Sequence, residues 1–72
     1  MILVYSKANC VNCNKAFALL DKNNVAYEVV KVDEDADAMA FVRAEGHKAV
    51  PQFYKDGKLF CNGFSGLQQM FK

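Results

Sequence analysis

Apolar and polar positions fall in blocks along this chain, and the period changes from block to block. Met1-Ile2-Leu3-Val4-Tyr5 is a continuous apolar run of strand formers, the pattern of a strand covered on both faces in the middle of a sheet. Residues 6–9 are polar. Beyond them the spacing turns helical, with Cys13, Ala16, Phe17 and Leu20 at i, i+3, i+4 and i+7 on one stripe. Asn12, Asn14, Lys15 and Lys22 lie mostly on other faces, and Asn23-Asn24 supplies a helix stop that tolerates left-handed backbone. Residues 26–32 read as a second strand. Strand, helix and strand within about thirty residues predict two parallel strands joined by a right-handed crossover.

The second half changes character. Asp33-Glu34-Asp35 places negative charge where a second helix begins, which suits the positive end of the helix dipole and reads as a solvated helix start rather than a metal site. Ala38, Phe41 and Val42 form its apolar stripe with Met39 beside it, and Gly46 ends it. His47-Lys48-Ala49 links it to the run Val50-Pro51-Gln52-Phe53-Tyr54. The Asp56-Gly57 pair then turns the chain into Leu59-Phe60-Cys61, which predicts an antiparallel hairpin. Pro51 sits at a strand start, where its missing N–H does least harm. Its peptide geometry is open, because cis is the minority state for X–Pro bonds. Asn62-Gly63-Phe64 turns the chain again, and Ser65 is positioned to N-cap a short helix that carries Leu67, Met70 and Phe71 inward. The predicted order is βαβαββα, an α/β fold with a mixed four-stranded sheet flanked by three helices. Phe17, Leu20, Phe41, Val42 and Phe53 are core candidates, and Phe64 suits either the core or a groove wall.

Composition narrows the class. With 72 residues the expectation is one domain over 1–72. Such a chain buries only about 60% of its unfolded surface, so modest stability is expected. Nine basic and eight acidic residues leave a net charge of +1, which provides no excess for nucleic acid. No apolar run is long enough to span a bilayer as a helix. No charged segment precedes a signal-like apolar stretch, so no secretory leader is expected. Three cysteines, an odd number, fit a reducing compartment better than a disulfide-stapled secreted domain. The expectation is a cytosolic monomer with Cys61 as a buried, inert thiol. His47, alone in its loop, reads as an exposed polar residue rather than a base.

The chemistry concentrates in Cys10-Val11-Asn12-Cys13. A Cys-x-x-Cys where a strand passes into a helix reads as a redox dithiol. Cys10 falls just before the helix, facing unpaired N–H groups and the positive dipole end, so its pKa is expected below the free value of about 8.5. Lys7 adds positive charge. Thiol–disulfide exchange proceeds by thiolate attack through a mixed disulfide. The spacing therefore assigns Cys10 as nucleophile and Cys13, one turn on, as resolving thiol. The competing reading is a metal-binding module, either zinc on Cys10, Cys13 and a further ligand from His47 or Cys61, or an iron–sulfur carrier. A copper-carrying module would need βαββαβ order, which the pattern does not follow. A third reading is a binding module with incidental cysteines.

Three motifs, Tyr5-Ser6-Lys7-Ala8-Asn9-Cys10-Val11-Asn12-Cys13, then Val50-Pro51-Gln52, then Asn62-Gly63-Phe64-Ser65, stand in the order and spacing of the glutaredoxins, which the chain resembles throughout its length. The resemblance implies a thioredoxin fold, Cys10 and Cys13 as the active dithiol, no bound cofactor, and Pro51 as a cis proline opposite the dithiol. It also implies that Val50 backbone and the Gly63 turn flank a groove for glutathione or a substrate peptide, with Lys7, Asn12, Phe64 and Ser65 around it. The usual Cys-Pro-Tyr-Cys is here Cys-Val-Asn-Cys, which removes an aromatic wall. Ser65 stands where an aspartate normally meets the glutathione amino group. The segments around Cys10 and Gly63 are more similar to NrdH-type redoxins, which draw electrons from thioredoxin reductase and pass them to ribonucleotide reductase, although Ser65-Gly66 replaces their usual Arg-Pro. The shortness of the chain is similar to that of phage glutaredoxins, which would place it in a host cytosol.

Overall fold

A computed structural model of the chain describes residues 1–71. Its elements are β1 (Ile2–Ser6), α1 (Val11–Lys22), β2 (Tyr27–Lys31), α2 (Ala36–Ala44), β3 (Gln52–Lys55), β4 (Lys58–Asn62) and α3 (Gly63–Met70). The sheet order is β2-β1-β3-β4. β1 pairs parallel with β2 and antiparallel with β3, and β3 pairs antiparallel with β4. The mixed four-stranded sheet and three helices are those the periodicity predicts.

The alternation of β1 sends residues to two faces, which builds two apolar clusters. Ile2 and Val4 join Ala16 and Leu20 of α1, Phe53 of β3 and Leu67 of α3 in the larger one. Tyr5 points the other way and packs with Val32, Ala38 and Val42 beneath α2. Phe41 departs from its expected core role. It is 37% exposed and instead rests on Tyr5 and Tyr54, with ring centroids 5.4 and 5.1 Å away. Because α2 covers this face alone, its flank meets water. Phe17 is half-buried, its ring stacked on Tyr27 at 5.6 Å.

Local chemistry explains the boundaries. The Asp35 carboxylate accepts from the N–H groups of Asp37 and Ala38 at 3.0 and 3.1 Å, so the acidic run does begin α2, through a cap as well as through charge. The far end of α2 closes in a Schellman motif. Gly46 takes φ +82°, its N–H bonds to Arg43 O and the His47 N–H bonds to Val42 O, both at 3.0 Å. Asp56 and Gly57, with φ of 52° and 78°, form the two-residue hairpin turn that Asp-Gly signals. The β3–β4 register slips between Phe53 and Tyr54, which leaves Phe60 as the extra residue of a bulge.

Three expectations are corrected at the edges. Val50 and Pro51 precede β3 rather than forming it, since pairing begins at Gln52. Ser65 does not cap the last helix. Asn62 is its N-cap residue, without a side-chain bond, and Ser65 lies exposed within the first turn. Gly63 at φ +73° permits this earlier start, which a side-chain cap rule does not detect. Met70 is 53% exposed rather than inward, whereas Leu67 is fully buried and Phe71 packs on the core. The Asp35 cap yields the first testable expectation. Asp35→Ala should cost about 1 kcal/mol in a urea unfolding curve, and Asp35→Asn should retain most of it.

Candidate active site

The site forms where β1 runs into α1. Cys10 is the N-cap residue of α1, in extended backbone, and its sulfur accepts the Cys13 N–H at 3.2 Å. The first helical turn thus satisfies one of its free donors with the sulfur itself. Cys10 and Cys13 form a disulfide with Cα atoms 5.2 Å apart. Cys10 is 9% exposed and Cys13 fully buried, so any external group meets the Cys10 sulfur first. The preceding loop is held in place. Asn9 takes φ 55°, and the Ala8 N–H donates to the Asp33 carboxylate at 3.1 Å, which fastens the loop to the end of β2.

The opposite wall is the segment joining α2 to β3. The Val50-Pro51 peptide is cis, and the Val50 carbonyl oxygen lies 3.9 Å from the Cys10 sulfur. Pro51 itself is buried. A groove of about 380 Å³ adjoins this contact. Met39, Val42, Ala49 and Val50 give it an apolar lining, Lys7, Arg43 and Lys48 add positive charge, and His47 adds its ring.

Of the residues singled out in the sequence, Lys7 and Val50 meet at this groove with Pro51 behind them, and Cys10 touches it through Val50. Asn12 is exposed in the first turn of α1 and is not part of the lining. Gly63, Phe64 and Ser65 also lie outside it. Asn62 pairs with Gln52, so the Gly63 turn sits at the Pro51 end of the sheet. Phe64 is half-buried, one side of it packed against the larger cluster. His47 is not the free polar residue expected of its loop. It is half-buried, with Nε2 2.7 Å from the Tyr54 hydroxyl. Sequence reasoning also missed Asp33, Arg43, Glu45, Lys48, Gln52 and Tyr54. The one available signal was Gln52, a polar residue inside an apolar strand pattern.

Among the described residues no group of three or more His, Cys, Asp and Glu is gathered closely enough to hold a metal ion, so the metal-module reading gains no support. Cys61 is half-buried on β4, and burial pushes its thiol from 9.0 up to about 11. Burial likewise raises Tyr5, Tyr27 and Tyr54, with carboxylates adding to the effect at each.

The glutaredoxin family model matches residues 2–60. The chain is 43% identical over 73 residues to glutaredoxin 1 of Rickettsia typhi, an alignment covering 94% of this chain and 70% of that protein. It is 33% identical over 64 residues to the glutaredoxin-like protein NrdH of Lactococcus lactis, covering 89% of this chain and 88% of the relative. The crystal structure of a buckwheat glutaredoxin–glutathione complex superposes with a TM-score of 0.81 at 23% identity, over 97% of this chain and 66% of that one. The chain spans 57 to 61% of three other rickettsial glutaredoxins. The superposition gives a thioredoxin fold, and the family match together with the cysteine pair puts the chain in the class of thiol–disulfide oxidoreductases. Within that class, the chain belongs to the glutaredoxin family.

Alkaline behaviour follows from the buried hydroxyls and thiol. A group whose pKa is raised by folding stabilises the fold below its unfolded value and loses that contribution as pH climbs toward the folded one. Stability measured by thermal unfolding should therefore fall between pH 9.0 and about 11 as Cys61 ionises, and Cys61→Ala should flatten that part of the curve. The tyrosines should continue the decline above pH 10.0 in both proteins.

Proposed function

We propose that the chain reduces protein disulfides by exchange through Cys10 and Cys13. The observation that carries this reading is the pair itself, with Cys10 capping α1 nearly buried and Cys13 wholly buried behind it. In the reduced protein the Cys13 N–H and the helix N-terminus favour the Cys10 thiolate. That thiolate attacks one sulfur of a substrate disulfide. The substrate S–S bond breaks, one substrate thiolate leaves and takes a proton, and Cys10 is left in a mixed disulfide. Cys13, losing its proton, attacks the Cys10 sulfur and expels the second substrate thiolate. Two electrons pass to the substrate, and the protein ends as the Cys10–Cys13 disulfide.

Substrate contact is assigned to the opposite wall. Val50, freed from the sheet ladder, offers its backbone to an extended peptide, as strand addition requires. Lys7 and the Gly63 turn flank the approach, with Asn12, Phe64 and Ser65 in outer positions. The electron source follows one of two relatives. The buckwheat neighbour was solved with glutathione, which supports glutathione as donor. The resemblance of the Cys10 and Gly63 segments to NrdH-type redoxins implies thioredoxin reductase as donor and ribonucleotide reductase as recipient, in a cytoplasmic setting, and the Lactococcus NrdH protein is among the relatives. The uncharged Ser65 and the Val11-Asn12 pair favour the second arrangement. No bound cofactor enters the exchange.

Turnover of a protein disulfide tests the assignment. Cys10→Ser should abolish reduction, and retained activity would remove the nucleophile from its role. Cys13→Ser should accumulate a mixed disulfide visible by mass spectrometry. The donor is decided by comparing glutathione plus its reductase with thioredoxin reductase on one substrate. Efficient recycling by the latter alone is the expected result.

A further inference from the structure

We infer that Gln52 and Tyr54 are positioning residues for the substrate-binding backbone at Val50. This rests on the reading above that Val50 pairs with an extended peptide. The two side chains lie two apart on β3 and so point to the same face, where they are 3% and 2% exposed. Both reach back to the loop that carries Val50. Gln52 Nε2 donates to the Ala49 carbonyl at 2.9 Å. The Tyr54 hydroxyl donates to the Glu45 carboxylate at 3.2 Å and lies 2.7 Å from His47 Nε2. When the hydroxyl donates to Glu45, the imidazole Nε2–H completes the pair as donor, so the Tyr54 oxygen bridges both side chains.

The anchors fall on Glu45, His47 and Ala49, alternate residues leading up to Val50. β3 is itself held between β1 and β4, so it is a rigid base for them. Gln52 also carries a cost. Its Oε1 is buried without a partner among the described residues, a state unfavourable for folding. Local conflict of this kind is typical of sites shaped by function. The amide holds Ala49, and through it the carbonyl 3.9 Å from Cys10.

The test uses single-turnover reduction by the pre-reduced protein, which needs no electron donor. One substrate is a disulfide flanked by peptide on both sides. The other is bis(2-hydroxyethyl) disulfide, which has no backbone to pair with Val50. Tyr54→Phe keeps the ring and removes the bridge, and Gln52→Met keeps the bulk. Gln52→Met, which removes one hydrogen bond, should raise the half-saturating concentration of the peptide substrate roughly fivefold, and Tyr54→Phe, which removes two, by at least as much, both with an unchanged limiting rate. The rate on the small disulfide should not change. Glu45→Ala removes the acceptor from an exposed position, and should give a smaller rise that Glu45→Gln restores. An unchanged half-saturation in these variants, or a parallel loss on both substrates, overturns the inference. Failure of the unaltered protein to reduce the small disulfide would instead overturn the proposed dithiol chemistry.

Discussion

One short contact organises the molecule's chemistry, the Cys13 N–H donating to the Cys10 sulfur. It requires a helix to begin at residue 11, a loop that delivers Cys10 in extended backbone, and a strand that ends at Ser6. Each requirement is met by a separate interaction. Asp33 fastens the loop at Ala8, Asn9 makes its left-handed bend, and the stripe Cys13, Ala16 and Leu20 seats α1 on the sheet. A helix N-terminus otherwise exposes donors to water, and here a sulfur occupies that position.

The second wall is built by different means. The first rests on backbone hydrogen bonds and a helix terminus. The α2–β3 segment is held by a Schellman motif on one side and by side chains rising from β3 on the other. The two apolar clusters keep the walls on separate supports, α1 and α3 on one face and α2 on the other. The groove beside the disulfide takes its basic residues from both walls, Lys7 from the first and Arg43 and Lys48 from the second.

How much of this is legible in the sequence depends on the range of the interaction. The local pattern locates all seven elements. Apolar stripes mark the helices, whereas β2 and β4, without a buried residue of their own, are marked by strand formers and the Asp-Gly turn. Asp-Gly and Gly46 announce their turns because both sit where the backbone needs positive φ. The roles proposed for the cysteines are also local, since only two residues lie between the pair. What escapes is everything joined across the fold. Asp33 meets Ala8 from 25 residues away, and Tyr54 meets His47 and Glu45 from 7 and 9. A histidine in a polar loop gives no hint that a tyrosine lies beneath it. Phe41 fails for the opposite reason. Its place on the stripe is right, but a helix covering a sheet alone leaves its flank wet.

The complete burial of Cys13 has a kinetic consequence for the proposed exchange. No outside disulfide reaches that sulfur, so Cys13 is held in reserve to discharge the mixed intermediate at Cys10 from within. The discharging step is then first order, independent of how much partner is present. Its speed still follows the thiol that leaves, faster for the more acidic one. Two partners that dock equally well are therefore released at different rates, set by their own sulfurs.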